Sequence, residues 1–280
     1  MITIFSLLNE YGQSYELNDL RSGYLTAPEG MGYEMSNSYV KIGNTWVPSY
    51  SVDKQKTMSA TIVFATGDPY TEQTALLKFI RTSKKLRLCR KTSAGEYYKD
   101  VDLTKYDISR IKGNSLSCPI SLMSKSLWYA NSKATYQITA HTDEAYMKYA
   151  YKFPTKFSGS VEGKISVIND GSVDAPMQVS FVGPIVNPSL TLLLEGEEVA
   201  RIDILGEAAA GESIEYSTVD GDLYCYTKKL NENVNLANSL SLENDNFFKI
   251  PVGMYDIKVS ADADIVNPVI FNIRKLYRAV

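Results

Sequence analysis

The stretch from Asn169 to Leu194, NDGSVDAPMQVSFVGPIVNPSLTLLL, limits what this chain can fold into more than any other. Asn169, Asp170 and Gly171 make a turn signal, because Asn and Asp tolerate left-handed backbone angles and Gly adopts them freely. Met177, Val179 and Phe181 then alternate with Gln178 and Ser180, the period of a strand with one buried face. Gly183-Pro184 and Asn187-Pro188 interrupt the run; each proline removes a ladder donor and holds its predecessor extended. Leu190, Leu192 and Leu194 begin a second strand. Two core strands joined by a proline-ruled crossing describe a chain moving between the two sheets of a sandwich. Neither strand bears a catalytic group.

The residues around this stretch follow the same rule. Val161–Ile168 precedes it as a strand. Glu195-Gly196 turns the chain into Val199–Leu205, Gly211-Glu212 precedes Ile214 and Tyr216, and Asp220-Gly221 precedes Leu223–Tyr226. Phe247, Phe248 and Ile250 lead through Pro251-Val252-Gly253 into the alternating Tyr255, Ile257 and Val259, and Asn267-Pro268 introduces Val269, Phe271 and Ile273. Turn signals about every ten residues without a helical period indicate an antiparallel sandwich or jelly roll.

The first half is also β, with one exception. Met1–Leu8 reads as a strand, and turn formers at Pro28, Gly30, Gly32 and Gly43 leave room for short strands at Tyr33–Met35 and Tyr39–Ile42. Thr57–Ala65 alternates Met58, Ala60, Ile62 and Phe64 against polar or smaller neighbours. A helix near 69–83 follows: Asp68 suits the N-cap, Pro69 the first helical position and Glu72 the positive end of the dipole. Leu76, Phe79 and Ile80 share one face, and Lys84 and Lys85 stand where the C-terminal dipole favours cations. Strands resume at Leu86–Cys89, Tyr97–Leu103, Tyr106–Ile111 and Leu116–Met123, and Thr135–Ala140 reads as a connecting strand. The expected organisation is therefore two domains, residues 1–133 and 134–280, the first ending near Asn131-Ser132-Lys133.

Charge supports that division. Residues 1–140 carry 12 acidic and 17 basic side chains, a balance of +5, whereas residues 141–280 carry 20 acidic and 12 basic, a balance of -8. A sign change between halves is a domain-level signal. Cys89, Cys118 and Cys225 are odd in number and widely spaced, which argues against a disulfide framework or a zinc site and for folding in a reducing cytoplasm. No basic stretch precedes the apolar ITIFSLL, so no signal peptide is read, and no run approaches the roughly 20 apolar residues of a membrane helix.

Little catalytic chemistry is available. His141 is the single histidine and falls in a polar connector, where a solvated linker residue is expected rather than a Ser-His-Asp or Cys-His system. One His and three scattered Cys cannot make a zinc cluster. Neither a P-loop nor a dinucleotide fingerprint is present, and no carboxylate pair stands out for glycoside hydrolysis. No cofactor is expected, and the chain does not read as an enzyme. Asp220 and Asp222, the group Glu243, Asp245 and Asn246, and the pair Asp262 and Asp264 have oxygen ligands suited to calcium, but turns between strands call for the same residues. Residues 78–91, KFIRTSKKLRLCRK, hold seven basic and no acidic side chains, which is an attraction for nucleic acid or, more simply, a solvated face or a contact with an acidic neighbour. The 20 tyrosines suit interfaces, strands, or a sugar-binding platform for which Trp46, Trp128 or exposed tyrosines are candidates.

The sequence resembles the distal tail (Dit) proteins of siphophages and related prophages of Gram-positive bacteria. The likeness lies in GYLTAPEGMGYE, TIVFATGDPYTEQTALLKFI, LRLCR and GNSLSCPISLMSKSLWY in the first half. In the second it lies in INDGSVDAPMQVSFVGPIVNPSLTL, GESIEYST and FFKIPVGMYDI. This resemblance implies a structural protein with no catalytic residues. Its N-terminal tail-tube-like β domain with one helix would form a homohexameric ring, and its C-terminal galectin-like β-sandwich would project outward. The implied partners are copies of itself, the major tail tube protein, the tape measure protein, a tail-associated lysin or tail fibre protein, and receptor-binding proteins. Neither a membrane nor a specific nucleic-acid sequence is among them. The implied location is the virion tail tip, assembled in the bacterial host cytoplasm. The alternative is a lectin-like module in which the second domain binds host saccharides. A ring repeats one head-to-tail contact, so each subunit must present two different faces. Edge strands of the first domain are natural places for that pairing.

Overall fold

Period-two burial runs through most strands of the chain, and it sorts them into two separate cores. The computed structural model describes residues 3–19, 21–65, 67–112, 114–136, 163–241, 244–262 and 265–280. Among them the chain is mainly β, with one α-helix and antiparallel pairing, as its sequence pattern requires. Two compact units are present: Met1–Ala130 with Leu276–Val280, and Asn131–Lys275.

The first unit begins with β1 (Ile4–Asn9), β2 (Ser14–Glu16), β3 (Asn18–Asp19) and β4 (Gly23–Glu29). A hairpin follows, β5 (Met35–Ile42) and β6 (Thr45–Asp53), then β7 (Thr57–Phe64), α1 (Pro69–Thr82), β8 (Leu86–Thr92) and β9 (Gly95–Tyr106). The last strands are β10 (Ser109–Lys112), β11 (Ser115–Ser124) and β12 (Trp128–Tyr136). The central sheet has the order β2-β1-β8-β9-β11-β7-β4-β3. Its two ends, β2 and β3, are separated in sequence only by Leu17. The Leu17 amide donates to the Phe5 carbonyl at 2.9 Å, and the Leu17 carbonyl accepts from the Leu25 amide at 2.8 Å. The sheet thus curls until its edges meet, which removes the unpaired edges an open sheet would leave. Leu17, Ile62, Phe64, Leu76, Leu116 and Trp128 are buried inside.

The helix starts where its sequence indicates. Asp68 accepts from the Tyr70 amide at 3.2 Å and from the Thr71 hydroxyl at 2.6 Å. Leu76 is buried, Phe79 and Ile80 pack against the same core, and Gln73 joins the buried face. The strand expected at Tyr106–Ile111 is divided instead. β9 continues to Tyr106 opposite Ile120, and β10 then pairs Ser109 with Ser117, so β11 is met by two consecutive segments. The short strands expected at 33–35 and 39–42 are one strand, β5, because pairing with β6 extends both.

Residues 276–280 rejoin the first unit. The Tyr277 ring stands edge-on to Tyr97 at 5.3 Å, the Arg278 Nε donates to Asp53 at 3.0 Å, and the Arg90 guanidinium donates to the Val280 carbonyl. Replacing both Tyr277 and Arg278 by alanine is expected to destabilise the first unit by about 2 kcal/mol, through a lost aromatic contact and a broken, partly shielded ion pair. Thermal unfolding would show this as a lowered transition of the first unit.

The second unit contains β13 (Gly163–Asn169), β14 (Met177–Val182), β15 (Ile185–Val186), β16 (Ser189–Leu194), β17 (Glu197–Asp203) and β18 (Glu207–Ala208). It continues with β19 (Ser213–Val219), β20 (Asp222–Lys228), β21 (Asn233–Asn235), β22 (Gly253–Ser260) and β23 (Val269–Tyr277). One sheet runs β13-β22-β16-β17, and strands β21-β20-β19-β14-β23 form the facing layer. Phe181, Tyr216 and Phe271 from one layer and Leu190, Ile202 and Ile257 from the other belong to a single buried cluster. This is a sandwich, and β14 and β16 lie in different sheets, so the crossing at 183–188 does carry the chain between them.

The crossing departs from expectation at one residue. Asn187, expected to be extended before its proline, lies at φ 48. Its side chain accounts for this: Oδ1 accepts from the Gly206 amide at 3.0 Å and Nδ2 donates to Asp262 at 2.7 Å. Asn is among the residues that tolerate the left-handed region. The Gly183-Pro184 peptide is cis. Glu195 and Gly196, at φ 54 and 95, form the tight turn between β16 and β17 that favours two positive φ values.

Candidate functional site

The first unit carries an arm that its own core does not use. Among the described residues, β5 and β6 pair only with each other, and neither outer edge has a partner strand. They are joined by Gly43-Asn44, with Gly43 at φ 62 in the first loop position, the geometry of a type II′ turn. Opposed residues of an antiparallel pair share a face, so the register separates the side chains cleanly. Val40 stands opposite Val47, Ile42 opposite Thr45, Ser38 opposite Tyr50 and Ser36 opposite Val52 on one face. The other face pairs Lys41 with Trp46 and Tyr39 with Pro48. Ile42 is 64% exposed and Trp46 63%, and Tyr39, Val40, Val47, Tyr50 and Val52 are exposed as well.

A lone two-stranded hairpin is marginal in water, and contiguous exposed apolar side chains mark a contact surface. Strand edges of such an arm invite indiscriminate pairing. Lys41, Pro48 and the bulge between Ser38 and Tyr39 limit that hazard. The faces remain available. The arm therefore offers free strand edges of the kind anticipated for this domain.

The other sequence candidates are placed as follows. His141, Glu243 and Asp264 lie outside the described residues. Asp220 is held by Lys249 Nζ at 2.7 Å, and Asp262 accepts from Asn187, so both serve inter-strand contacts. Among the described residues, no group of three His, Cys, Asp or Glu side chains is placed to hold a metal ion. The basic run 78–91 is partly absorbed locally. The Glu10 carboxylate accepts the Lys84 amide at 3.0 Å and the Lys85 amide at 3.1 Å, Arg87 faces Asp100 at 3.4 Å, and Arg90 holds Val280. Lys78, Arg81 and Lys91 face solvent. Trp128 is fully buried and cannot serve a sugar platform, and Trp46 belongs to the arm of the first unit. No helix among the described residues is long and apolar enough to cross a membrane.

Cys89, Cys118 and Cys225 are free and buried. Burial, reinforced by Glu96, pushes the Cys89 thiol up to about 11, and burial alone pushes Cys225 to about 12. A thiol reagent at pH 8 is therefore expected to leave the native protein unlabelled and to modify all three cysteines after unfolding, since the thiolate is the reactive form. Rapid labelling of the native protein would contradict the packing around them.

Residues 4–125 match the family model described as the distal tail protein, N-terminal domain. That match lies within the first unit. The resemblance to the distal tail proteins is thereby borne out, and the arm lies within the matched segment. Solved structures extend the likeness in fold to the second unit. A chain of the phage P2 baseplate in its activated conformation with calcium aligns at TM-score 0.63 and 14% identity, with 100% of both chains covered. The Dit protein of phage SPP1, described as a paradigm of the hub adsorption apparatus in phages infecting Gram-positive bacteria, aligns at TM-score 0.60 and 9% identity over 97% of this chain and 98% of that one. No curated protein matches this chain.

Proposed function

We propose that this protein is a structural subunit of a phage or prophage tail tip, a homohexameric hub joining the tail tube to the host-adhesion device. The observation that carries the reading is the exposed apolar arm within the segment that matches the distal tail N-terminal domain: contiguous exposed apolar side chains of this kind mark a contact surface. A second copy is the economical occupant. A head-to-tail ring gives each subunit one donor face and one acceptor face, and the arm suits the donor role. Residues 1–133 would build the ring. Residues 134–280, the acidic sandwich, would face outward toward receptor-binding proteins, with the tube, the tape measure and a tail-associated lysin or fibre along the axis. The protein acts by assembly rather than by catalysis.

Light scattering tests the assembly. Six copies of 31.2 kDa give a particle of about 187 kDa, and negative-stain images should show a six-fold ring. A strict monomer at high protein concentration, with no rings on the grid, would overturn the reading. No observation favours the saccharide-binding alternative, because among the described residues neither a tryptophan nor an exposed tyrosine stands on the sandwich.

A further inference from the structure

A basic recess in the first unit has no role in the assembly just described. It has a volume of about 300 Å³ and is lined by five cationic side chains, Lys54, Lys56, Lys99, Lys125 and Arg278, against two carboxylates, Glu34 and Asp53. Lys54 is paired with Glu34 at 2.8 Å and Arg278 with Asp53 at 3.0 Å, which neutralises that side of the rim. The remaining three cations are compensated poorly. Lys125 reaches Asp102 at 3.3 Å in an exposed pair, and neither Lys56 nor Lys99 forms an ion pair among the described residues.

Lys99 is the informative member. It lies on β9, two residues before the buried Val101, at an inward position of the strand's alternation. Only 3% of the residue is exposed, and its Nζ sits 5.1 Å from the centre of the Trp128 ring. An apolar side chain would fill such a position without desolvating a charge. Burial, and then the nearby charge of Lys56, lowers the Lys99 ammonium to about 8. The indole face offsets part of that cost, and no carboxylate among the described residues forms an ion pair with Lys99. A charge kept at an inward-facing position and directed to a recess of further cations is an arrangement suited to holding an anion.

We propose that this recess is an oxyanion-binding site, with Lys99 and Lys56 as its primary cations and Lys125 at its mouth, taking a phosphate-sized or carboxylate group. Such a group has two sources, a free anion or an acidic side chain of a second copy of this chain. The proposal stands on the first unit alone and does not depend on the hub assignment.

The test compares inorganic phosphate with chloride at matched ionic strength, following thermal unfolding and heat of binding. At roughly ten times its dissociation constant, phosphate should raise the melting temperature by about 3 °C beyond chloride. Lys99→Met, which keeps the stem against Trp128 and removes the charge, should abolish the response. Lys56→Gln should weaken binding by about tenfold, and it carries the test alone if Lys99→Met does not fold. Phosphate no more effective than chloride, or a full response surviving in the variants, would overturn the site. Sedimentation then separates the two sources. Loss of self-association in phosphate assigns the natural occupant to a carboxylate of a second copy, and unchanged association assigns it to a free anion.

Discussion

In the proposed ring, replacing Ile42 by serine and Trp46 by alanine is expected to leave the protein folded and to reduce it to a monomer. Both side chains are more than half exposed, so their loss removes little from the subunit's own core, and surface changes of this kind usually stay within about 0.5 kcal/mol of neutral. They lie on opposite faces of the arm, one beside Val40 and Val47, the other opposite Lys41. A neighbour that clasps the arm therefore loses contact on both sides. Tryptophan at the centre of a contact is commonly a hot spot, and its truncation should cost at least about 2 kcal/mol, or roughly thirtyfold in the affinity of each contact. A closed ring compounds that loss over every interface. Sedimentation velocity should show the proposed ring replaced by a folded 31.2 kDa species. An intact ring in this double variant would show that the arm is not the contact, even if the protein is a hub.

Gly183→Ala is the most damaging single change expected in the second unit. A Cβ at this position would lie 2.3 Å from the Ala209 carbonyl oxygen and 2.6 Å from that of Ala208. Both are backbone atoms, and the segment is tied in place because the Gly183 amide donates to the Glu212 carbonyl at 2.9 Å and β15 pairs with β18. Neither the crossing nor the strand above it can withdraw without opening the sandwich. The expected loss is at least about 3 kcal/mol, a fall of roughly 10 °C in the transition of this unit. Gly206→Ala is the control. Its nearest neighbour is the Leu236 Cδ1 at 2.9 Å, the far end of a flexible side chain that can rotate aside. Equal losses for the two variants would refute the close approach of backbone at Gly183.

The crossing also shows where reading a sequence succeeds. Met177, Val179 and Phe181 alternate because only one face of β14 meets the core, and the prolines of 184 and 188 cannot donate to a ladder; both facts are properties of the residues themselves. The turn at Glu195-Gly196 and the helix cap at Asp68 are legible for the same reason, since their chemistry reaches only three or four residues along the chain. Asn187 was not legible. Its left-handed backbone is held by Gly206 and Asp262, which are distant in sequence.

The candidate sites divide along the same line. Tyr39, Trp46 and Tyr50 were visible as aromatics between turn formers, but sequence cannot say whether an aromatic residue in a strand faces a core or solvent. Trp128 is buried and Trp46 exposed. Lys99 gave no signal at all: one lysine among the 29 basic residues becomes notable only when an indole lies beneath it and no carboxylate beside it. Local periodicity and turn chemistry thus determined the β class, the single helix and the passage between sheets, because each depends on neighbours in the chain. Tertiary structure alone decided that Leu17 closes the first sheet, that residues 276–280 return to the first unit, that an apolar arm stands uncovered and that cations gather around one recess. Those outcomes depend on which distant segments meet, and hydrophobic burial is indifferent to sequence separation.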